Sequence, residues 1–198
     1  MATKLGIIKA AVIRAGGEPP STLSDDSDDV IAAVALYDSV ATECLTAHAW
    51  SFATRYETIT RTVDVPPAPY KSIYAIPAEC INVRDLIDGA GAPVAYEIVE
   101  NVIYTFREDA ADEDLTLIYN WWPVETRWPP DFAAAIEEFM VARLLESFEE
   151  RLRAIEREDI ASQKLSRAMR RDRRQNPPRK INRAPMLRAW RNRSVDRT

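Results

Sequence analysis

The sequence is poor in the residues that most often perform chemistry: it contains one histidine, two cysteines and five glycines. Because His48 is the only imidazole, a serine or cysteine nucleophile would lack its usual base, and the Glu-x-x-His pairing of a helical di-metal site is absent. Cys44 and Cys80 form no Cys-x-x-Cys pair, which argues against a zinc site and a disulfide framework. The glycines form neither a dinucleotide-binding nor a phosphate-binding loop motif. These absences predict a non-enzymatic protein without cofactors or bound metal, with two reduced and mostly buried thiols.

Long apolar runs are also missing. No stretch approaches the roughly 18 residues of a membrane-spanning helix, so we expect no membrane partner. The segment before Gly16 is too short and too soon interrupted for a secretory signal. With 198 residues, the chain is long enough for one domain that buries roughly two-thirds of the surface of its unfolded state.

Charge is distributed unevenly along the chain. Residues 164–198 contain thirteen Lys or Arg and two acidic residues, a net charge of +11, whereas the 163 preceding residues contain 13 basic and 29 acidic residues, a net charge of −16. The overall charge of −5 therefore conceals two regions of opposite sign. A basic end of this kind solubilises the chain, docks on a partner or attracts the phosphates of nucleic acid.

The first 52 residues predict two helices separated by a proline-braced loop. The first helix carries four apolar residues at helical spacing, namely Leu5, Ile8, Val12 and Ile13. The pair Gly16-Gly17 supplies the left-handed residue that ends this helix, and Pro19-Pro20 stiffens the loop. A second helix is predicted from its apolar stripe, which comprises Val30, Ala33, Val34, Tyr37, Val40, Ala41, Cys44, Leu45 and His48. Trp50 and Phe52 follow the end of this helix, and we expect them to lie in the core.

The acidic run from Ser24 to Asp29 precedes this second helix. Its side-chain oxygens can accept hydrogen bonds from the first amides of the helix, and its charge suits the positive end of the helix dipole. Alternate aspartates also suit a calcium loop, but the sixth position from Asp25 is Val30 where glycine is needed, and the twelfth is Leu36 where glutamate is needed. The run therefore predicts a helix cap and no metal site.

Residues 53–121 predict six short strands, because β-branched and aromatic residues alternate with polar ones between turn signals. The expected ranges are 53–63, 72–76, 80–87, 95–99, 102–106 and 115–121. The turns include a hairpin at 88–91, a second at Glu100-Asn101 and an acidic loop tip at 109–114. A small antiparallel sheet and a partial barrel both satisfy this pattern, and the register stays open.

Helical periodicity returns after Trp121. Pro129-Pro130-Asp131 predicts a helix start, followed by a buried stripe of Phe132, Ile136, Phe139, Met140, Leu144 and Phe148. A further stripe comprises Leu152, Ile155, Ile160, Leu165 and Met169. Because neither Gly nor Pro occurs between 131 and 175, the sequence allows either one bent helix or two stacked helices in this segment. The change in phase of the stripe favours a break between 148 and 156.

The order of these motifs resembles one protein family. The block GEPPSTL at 17–23, the acidic helix start, the long helix and the AWSF exit at 49–52 look like the N-terminal signature of the tail tubular protein A family. This family comprises head-to-tail adaptors of short-tailed phages and of related long-tailed phages. The segments YAIPAECINV at 74–83 and Pro-Pro-Asp-Phe at 129–132 are similar to later parts of the family pattern. The resemblance extends in order from about residue 7 to residue 172.

The resemblance implies an α+β fold and a structural function. A helical bundle from residues 1–50 and 130–175 would carry an inserted small antiparallel β-sheet or partial barrel at 52–122, so that 1–175 is the adaptor domain and 176–198 an extended basic C-terminal arm. The family forms a dodecameric ring beneath the portal protein and carries the next tail or nozzle component below. The implied location is the neck of the virion, with the host cytoplasm during assembly. Packaged DNA would pass through the lumen without specific binding.

Candidate contact residues follow from the resemblance and from the composition of the loops. In the family the C-terminal segment reaches the portal, and here an apolar island lies among basic residues. The candidate portal-binding residues are Arg179, Lys180, Arg183, Met186, Leu187, Arg188, Trp190 and Arg191. Exposed loops of the β-region supply the candidates for binding the tail component, which are Asp88, Gly89, Asp109 and Asp112.

Two other interpretations of the basic end stay open. It can be a tail that only solubilises the chain, or it can attract duplex DNA, which would make the chain a stand-alone nucleic-acid-binding protein. The strongly acidic remainder and the lack of a recognisable nucleic-acid-binding module argue against the second interpretation. In an adaptor ring, by contrast, an acidic lumen would repel the duplex and let it slide.

Overall fold

The computed structural model describes residues 2–107 and 114–175. Two helices are followed by six strands and two further helices, and single 3₁₀ turns at Ser51–Ala53 and Glu125–Arg127 mark the transitions. This order confirms the α+β class with an inserted β-region. The elements are α1 Lys4–Ala15, α2 Asp28–Thr46, β1 Thr54–Ile59, β2 Ser72–Ala75, β3 Cys80–Ile87, β4 Tyr96–Val99, β5 Val102–Thr105, β6 Leu115–Trp121, α3 Pro130–Ser147 and α4 Arg151–Gln175.

Helix α1 ends as the sequence predicts. Gly16 adopts the left-handed region with a φ of 103°, and its N–H donates to the Val12 carbonyl at 3.1 Å. Gly17 lies so close to α2 that a Cβ atom there would be 2.3 Å from a carboxylate oxygen of Asp29, so a larger residue at this position would require the Asp29 side chain to move. The expected apolar face is wrong at Ile13, which is 50% exposed. Helix α1 buries Ile7, Ile8, Ala11, Val12 and Ala15.

The acidic run before α2 acts mainly within its own loop. Asp25 accepts a hydrogen bond from the Ser21 N–H at 2.6 Å, and this bond is the main reason why the pKa of Asp25 is lowered. Ser27 precedes α2, but its hydroxyl makes no capping hydrogen bond. The expected side-chain cap is therefore wrong at this position. Asp28 and Asp29 do lie in the first turn, where their charge favours the helix dipole.

Helices α3 and α4 are separate, which confirms the expected break. Helix α3 ends at Ser147, α4 begins at Arg151, and Glu149 between them has a left-handed φ of 62°. Four members of the predicted stripe of α3 are fully buried, namely Phe132, Ile136, Met140 and Leu144. Phe139 and Phe148 are partly buried at the edge of the same core.

The predicted stripe of α4 is wrong at three of its five residues. Leu152 is 81% exposed, Ile155 53% and Ile160 38%. The residues buried on α4 are Ala154, Ala161, Ala168 and Asp172. Alanines seven residues apart stay on one side of a helix and let it approach its neighbour closely. Leu165 and Met169 pack at the margin of this contact, so α4 lies on α3 through small side chains rather than large ones.

The six strands form two three-stranded antiparallel sheets. The first has the order β1-β6-β3 and the second the order β2-β5-β4. Ile59 pairs with Leu115 in the first sheet, and Tyr74 pairs with Ile103 in the second. One apolar core contains residues of both sheets, namely Ile59, Tyr74, Leu86, Val94, Ile103, Leu115, Leu117 and Tyr119. The small antiparallel β-region expected from the sequence is thus divided into two sheets that share a core.

The first strand is shorter than predicted. It ends at Ile59 rather than at residue 63, and beyond it Arg61 makes only an isolated bridge with Tyr74. Proline occupies three of the four positions 66–69, and a proline cannot donate a ladder hydrogen bond. These prolines limit the strand pairing and leave residues 62–71 as a loop.

The two predicted hairpins have different outcomes. Glu100 and Asn101 have positive φ angles of 50° and 63°, and they join β4 to β5 as the two-residue turn that the sequence predicts. At 88–91 the turn forms, because the Gly91 N–H donates to the Asp88 carbonyl at 2.8 Å. However, the strands before and after this turn, β3 and β4, belong to different sheets. The expected hairpin pairing at 88–91 is therefore reduced to one isolated bridge, between residues 87 and 93.

The helical bundle and the β-region are joined through β6. The helical core contains Trp50 and Phe132 among its largest buried residues, as expected for the aromatic exit of α2. Asn120 on β6 is buried, and its side-chain amide donates to the carbonyls of Leu45 at 2.8 Å and His48 at 3.1 Å. These bonds satisfy carbonyl groups at the end of α2 that have no partner within the helix. They also fix the first sheet on the bundle.

Candidate interaction surfaces

Asp88 holds the turn after β3 together. One carboxylate oxygen accepts hydrogen bonds from the N–H groups of Ala90 at 3.0 Å and Ala92 at 2.9 Å, and the other lies 3.4 Å from the Arg107 guanidinium. These contacts lower the pKa of Asp88, with the hydrogen bond from Ala92 as the largest cause. The Asp88 side chain is 18% exposed, so the carboxylate predicted to contact a tail component is occupied within its own turn. Gly89 is exposed at the tip of that turn.

The second predicted tail loop lies mostly outside the described residues, and so do both of its candidate residues, Asp109 and Asp112. Arg107 is the last described residue before 108–113, and its contact with Asp88 places it at the turn after β3.

Sequence reasoning misses two exposed valines in the loop between β1 and β2. Val63 is 101% exposed and Val65 is 91% exposed. The signal that could have identified them is Val-x-Val followed by a proline-rich segment, because prolines stiffen a loop and keep it extended. These two side chains add apolar surface to an exposed loop of the β-region.

The second sheet exposes aromatic and aliphatic side chains. Tyr70 packs against Tyr104 and Phe106, with ring centroids 4.9 and 5.2 Å apart, and Phe106 is 44% exposed. On strand β4, at the edge of the sheet, Ile98 and Val99 are 46% and 45% exposed. Because Tyr70 also ends the loop that carries the exposed valines, the β-region offers apolar surface on both the loop and the sheet.

The eight residues predicted to bind the portal all lie outside the described residues: Arg179, Lys180, Arg183, Met186, Leu187, Arg188, Trp190 and Arg191. The described chain ends at Gln175, which lines a small hollow of about 120 Å³. Trp50, Pro129, Phe132 and Ala168 supply the apolar part of its wall. The described part of α4 therefore ends at the helical bundle, beside an apolar hollow.

The C-terminal half of α4 carries a basic surface, here termed the arginine face, which consists of Arg167, Arg170 and Arg174. Spacing by three and four residues places them on one side of the helix, and all three are exposed. Within residues 2–107 and 114–175, no acidic side chain forms an ion pair with them. Arg171 differs, because it pairs with Asp131 at 2.7 Å. The arginine face thus carries positive charge that the described part of the chain does not neutralise.

A buried carboxylate links three helices. Glu138 on α3 is 2% exposed; it pairs with Arg14 of α1 and lies 2.6 Å from the Lys164 ammonium and 3.5 Å from the Arg157 guanidinium of α4. Burial raises the pKa of Glu138, but the hydrogen bonds from Arg14 and Lys164 outweigh it, and the pKa lies below its ordinary value. The three cations are each about one-third exposed, so their charges stay partly hydrated. This cluster anchors α4 and α1 on α3.

Asp172 fastens the end of α4 to the exit of α2. Its carboxylate accepts hydrogen bonds from the Ser51 N–H at 3.1 Å and from the Ser51 hydroxyl, and it lies 3.3 Å from Nε2 of His48. Serine, histidine and aspartate thus meet, but the carboxylate lies between the other two, whereas general-base catalysis needs the imidazole on the hydroxyl. Burial lowers the pKa of His48, and the negative charge of Asp172, which raises it, only partly offsets this effect. The arrangement supports a structural attachment.

The remaining titratable groups offer neither a metal site nor a reactive thiol within the described ranges. Among residues 2–107 and 114–175, no group of three or more His, Cys, Asp or Glu side chains is placed to hold a metal ion. Both cysteines are free, and burial raises the pKa of Cys44 to about 12, so this thiol is protonated at neutral pH. None of the helices in the described ranges has the length and apolar character needed to cross a membrane.

No protein-family model matches the chain, and no curated protein shows significant similarity to it. The resemblance to the tail tubular protein A family therefore rests on the ordered motifs. The structure shows where these motifs lie. GEPPSTL forms the loop between α1 and α2, AWSF leads from α2 into β1, YAIPAECINV covers the end of β2 and the start of β3, and Pro-Pro-Asp-Phe begins α3.

Proposed function

We propose that this chain is a structural head-to-tail adaptor of a tailed phage, which forms a ring under the portal and joins it to the next tail component. The observation that carries the proposal is the order of elements: two helices, a β-region of six strands and two further helices, with the family-like motifs at the junctions. A helical bundle with an inserted antiparallel β-region is the architecture that the resemblance implies. The neck of the virion is the corresponding location.

The distribution of surfaces supports a protein that joins two partners. The basic arm begins at the bundle, after Gln175, whereas the exposed valines, the exposed side chains of β4 and the turn at 88–91 belong to the β-region. Under the proposal the arm binds the portal and the β-region binds the tail component. The two groups of residues are then free to bind at the same time.

A variant that keeps all positive charge tests the role of the arm. Met186→Ala, Leu187→Ala and Trp190→Ala together remove its apolar island and retain every arginine. We expect this variant to bind the portal protein of the same phage more weakly by about 2 kcal/mol or more, because apolar burial is not screened by salt. Its affinity for a short DNA duplex should be unchanged. Both affinities are measured with the full chain at several salt concentrations.

The second candidate function is nucleic-acid binding, and the observation that favours it is the unneutralised arginine face. An adaptor with basic residues is expected to bind duplex DNA only non-specifically, with a dissociation constant of about 10⁻⁴ to 10⁻⁶ M at physiological salt that rises steeply as salt is added. Sequence-specific, nanomolar DNA binding by the isolated protein would contradict the adaptor proposal. Portal binding that survives the triple alanine variant would contradict the role given to the arm.

A further inference from the structure

The exposed side of α4 carries both basic and apolar side chains. The arginine face extends over eight residues, about 10 Å of helix axis. Nearer the start of the helix Leu152 lies on the same side and Ile155 lies beside it, and they are 81% and 53% exposed. No described residue covers either part. Arginine combined with apolar side chains is typical of protein interfaces, whereas a DNA backbone would satisfy the arginines and leave the leucine and isoleucine without a contact.

Helix α2 exposes a surface of opposite charge, here termed the acidic face. Its residues follow one another at three- and four-residue spacing on the exposed side of the helix, and they are Asp28, Ile31, Ala35 and Asp38. Ile31 is 56% exposed. Asp38 pairs with Lys4 at 2.8 Å, but its side chain stays 71% exposed. The two aspartates lie ten residues apart, about 15 Å along the axis, so the long arginine side chains can reach both.

The two faces are not paired within one molecule. Helices α2 and α4 both pack along α3, and among the described residues no ion pair joins an arginine of the arginine face to Asp28 or Asp38. The charges of the two faces are therefore left for another molecule. The charges lie at the N-terminal part of α2 and the C-terminal part of α4, so an antiparallel approach of the two helices would bring them together and would also align the helix dipoles favourably.

We infer that the arginine face of α4 binds the acidic face of α2 on a second copy of this chain. The inference rests on the proposed function for its biological setting, because a contact between two different faces of the same protein is heterologous and builds a ring if the rotation closes. Charge favours a second copy over DNA as the occupant. The first 163 residues carry a net charge of −16, which attracts a basic face of another copy and repels a polyanion.

Charge reversal on each face tests the contact in the full chain. One variant carries Arg170→Glu and Arg174→Glu, and the other carries Asp28→Lys and Asp38→Lys. Self-association is measured by sedimentation velocity in about 10 mM salt, where the Debye length is about 30 Å. Each variant alone should associate at least about tenfold more weakly than the natural chain. An equimolar mixture of the two should associate again, because each supplies the face that complements the reversed face of the other.

A control matched to the α4 reversal replaces two basic residues by glutamate away from both faces, as Lys9→Glu with Arg127→Glu, and should associate like the natural chain. Circular dichroism melting checks the fold of every variant. If the α2 reversal does not fold, Asp28→Asn with Asp38→Asn replaces it and should weaken association in the same direction. The inference is overturned if the natural chain does not self-associate, if the control weakens association equally or if the mixture stays monomeric.

Two further outcomes separate this inference from its alternatives. If the α4 reversal weakens binding to a fluorescein-labelled DNA duplex and leaves self-association unchanged, the arginine face serves nucleic acid and the inference is wrong. Portal binding is measured on the same variants. Normal portal binding together with unaffected self-association overturns only the contact between copies, whereas a natural chain that self-associates through these faces but does not bind the portal contradicts the proposed function and leaves the contact standing.

Discussion

Helices α3 and α4 lie against each other, but different chemistry holds each in place. Helix α3 buries large side chains such as Phe132 and Met140, whereas α4 buries alanines and uses Lys164 and Asp172 for polar attachments. Apolar burial depends little on pH, while an ionic attachment weakens when its carboxylate is protonated. The position of α4 thus depends more on charged groups than that of α3 does.

The largest expected loss of stability is at α3. Phe132 is fully buried and its ring lies 4.8 Å from that of Trp50, 5.0 Å from Phe52 and 5.3 Å from Trp128. Phe132→Ala should lower the free energy of unfolding by about 3–5 kcal/mol, measured by urea denaturation. The matched control on α4 is Leu152→Ala, which should change it by less than about 0.5 kcal/mol. Similar losses in the two variants would abolish the contrast between the helices.

The polar attachment of α4 is tested by Glu138→Gln, which keeps the shape of the side chain and removes its charge. Because the glutamine leaves Arg14 and Lys164 without a carboxylate partner in a buried cluster, the free energy of unfolding should fall by about 2–3 kcal/mol at neutral pH. Both cations are partly hydrated, which keeps the loss below that of a fully buried pair. A loss below about 0.5 kcal/mol would show that the cluster does not anchor α4.

The same variant predicts a dependence on pH. The pKa of Glu138 in the folded protein lies below its ordinary value of 4.5, so its contribution to stability is complete above the ordinary pKa and is lost as the pH falls through the folded pKa. The difference in unfolding free energy between the natural chain and Glu138→Gln should therefore shrink as the pH falls below the ordinary value of 4.5. Chemical denaturation at a series of pH values measures it, and a constant difference across the acid range would contradict the assignment.

A smaller loss is expected at the far end of α4. Asp172→Asn should lower the free energy of unfolding by about 1–2 kcal/mol, because it weakens the hydrogen bonds to the N–H and hydroxyl of Ser51. A double-mutant cycle with Ser51→Ala isolates the interaction between the two side chains. The control is the exposed neighbour Arg173→Gln, which should have almost no effect. Additive losses in the cycle would show that the two residues do not act together.

The smallest effect on stability is expected from removing residues 176–198. The buried residues of α4 end at Asp172, so unfolding of the shortened chain should differ by less than about 0.5 kcal/mol, whereas co-purification with the portal should be lost. Calorimetry and affinity purification with a tagged portal provide the two measurements. Failure of the shortened chain to fold would sink the assignment of this segment as a separate arm.

The contrast between α3 and α4 also shows what the sequence can predict. The stripe of α3 and the existence of all six strands follow from apolar periodicity, because large side chains mark the buried side. On α4 the same reasoning selects Leu152 and Ile155, which are exposed, and overlooks Ala154, Ala161 and Ala168, whose small size is what allows the close contact. Their seven-residue spacing is visible in the sequence and could have identified the buried side.

The polar contacts and the surfaces were harder to predict. Glu138 and its partner Arg14 are 124 residues apart, and no local pattern joins them. The sequence analysis predicts Asp88 as an exposed contact for the tail component. Aspartate before glycine, however, commonly accepts hydrogen bonds from the backbone of its own turn, as Asp88 does here. The division of the strands into two sheets depends on pairing between distant segments, which strand periodicity does not determine. Composition alone indicates the basic C-terminal end of the chain. Part of its positive charge lies on helix α4.

Electron cryomicroscopy of the neck of the virion tests the adaptor assignment most directly. The account predicts a ring of copies of this chain between the portal and the tail, with the helical bundles and the arms toward the portal and the β-regions toward the tail. The atomic fit would identify the chain from the helices and the two three-stranded sheets of residues 2–107 and 114–175. A neck that lacks this chain, or virions that carry it only elsewhere, would contradict the account.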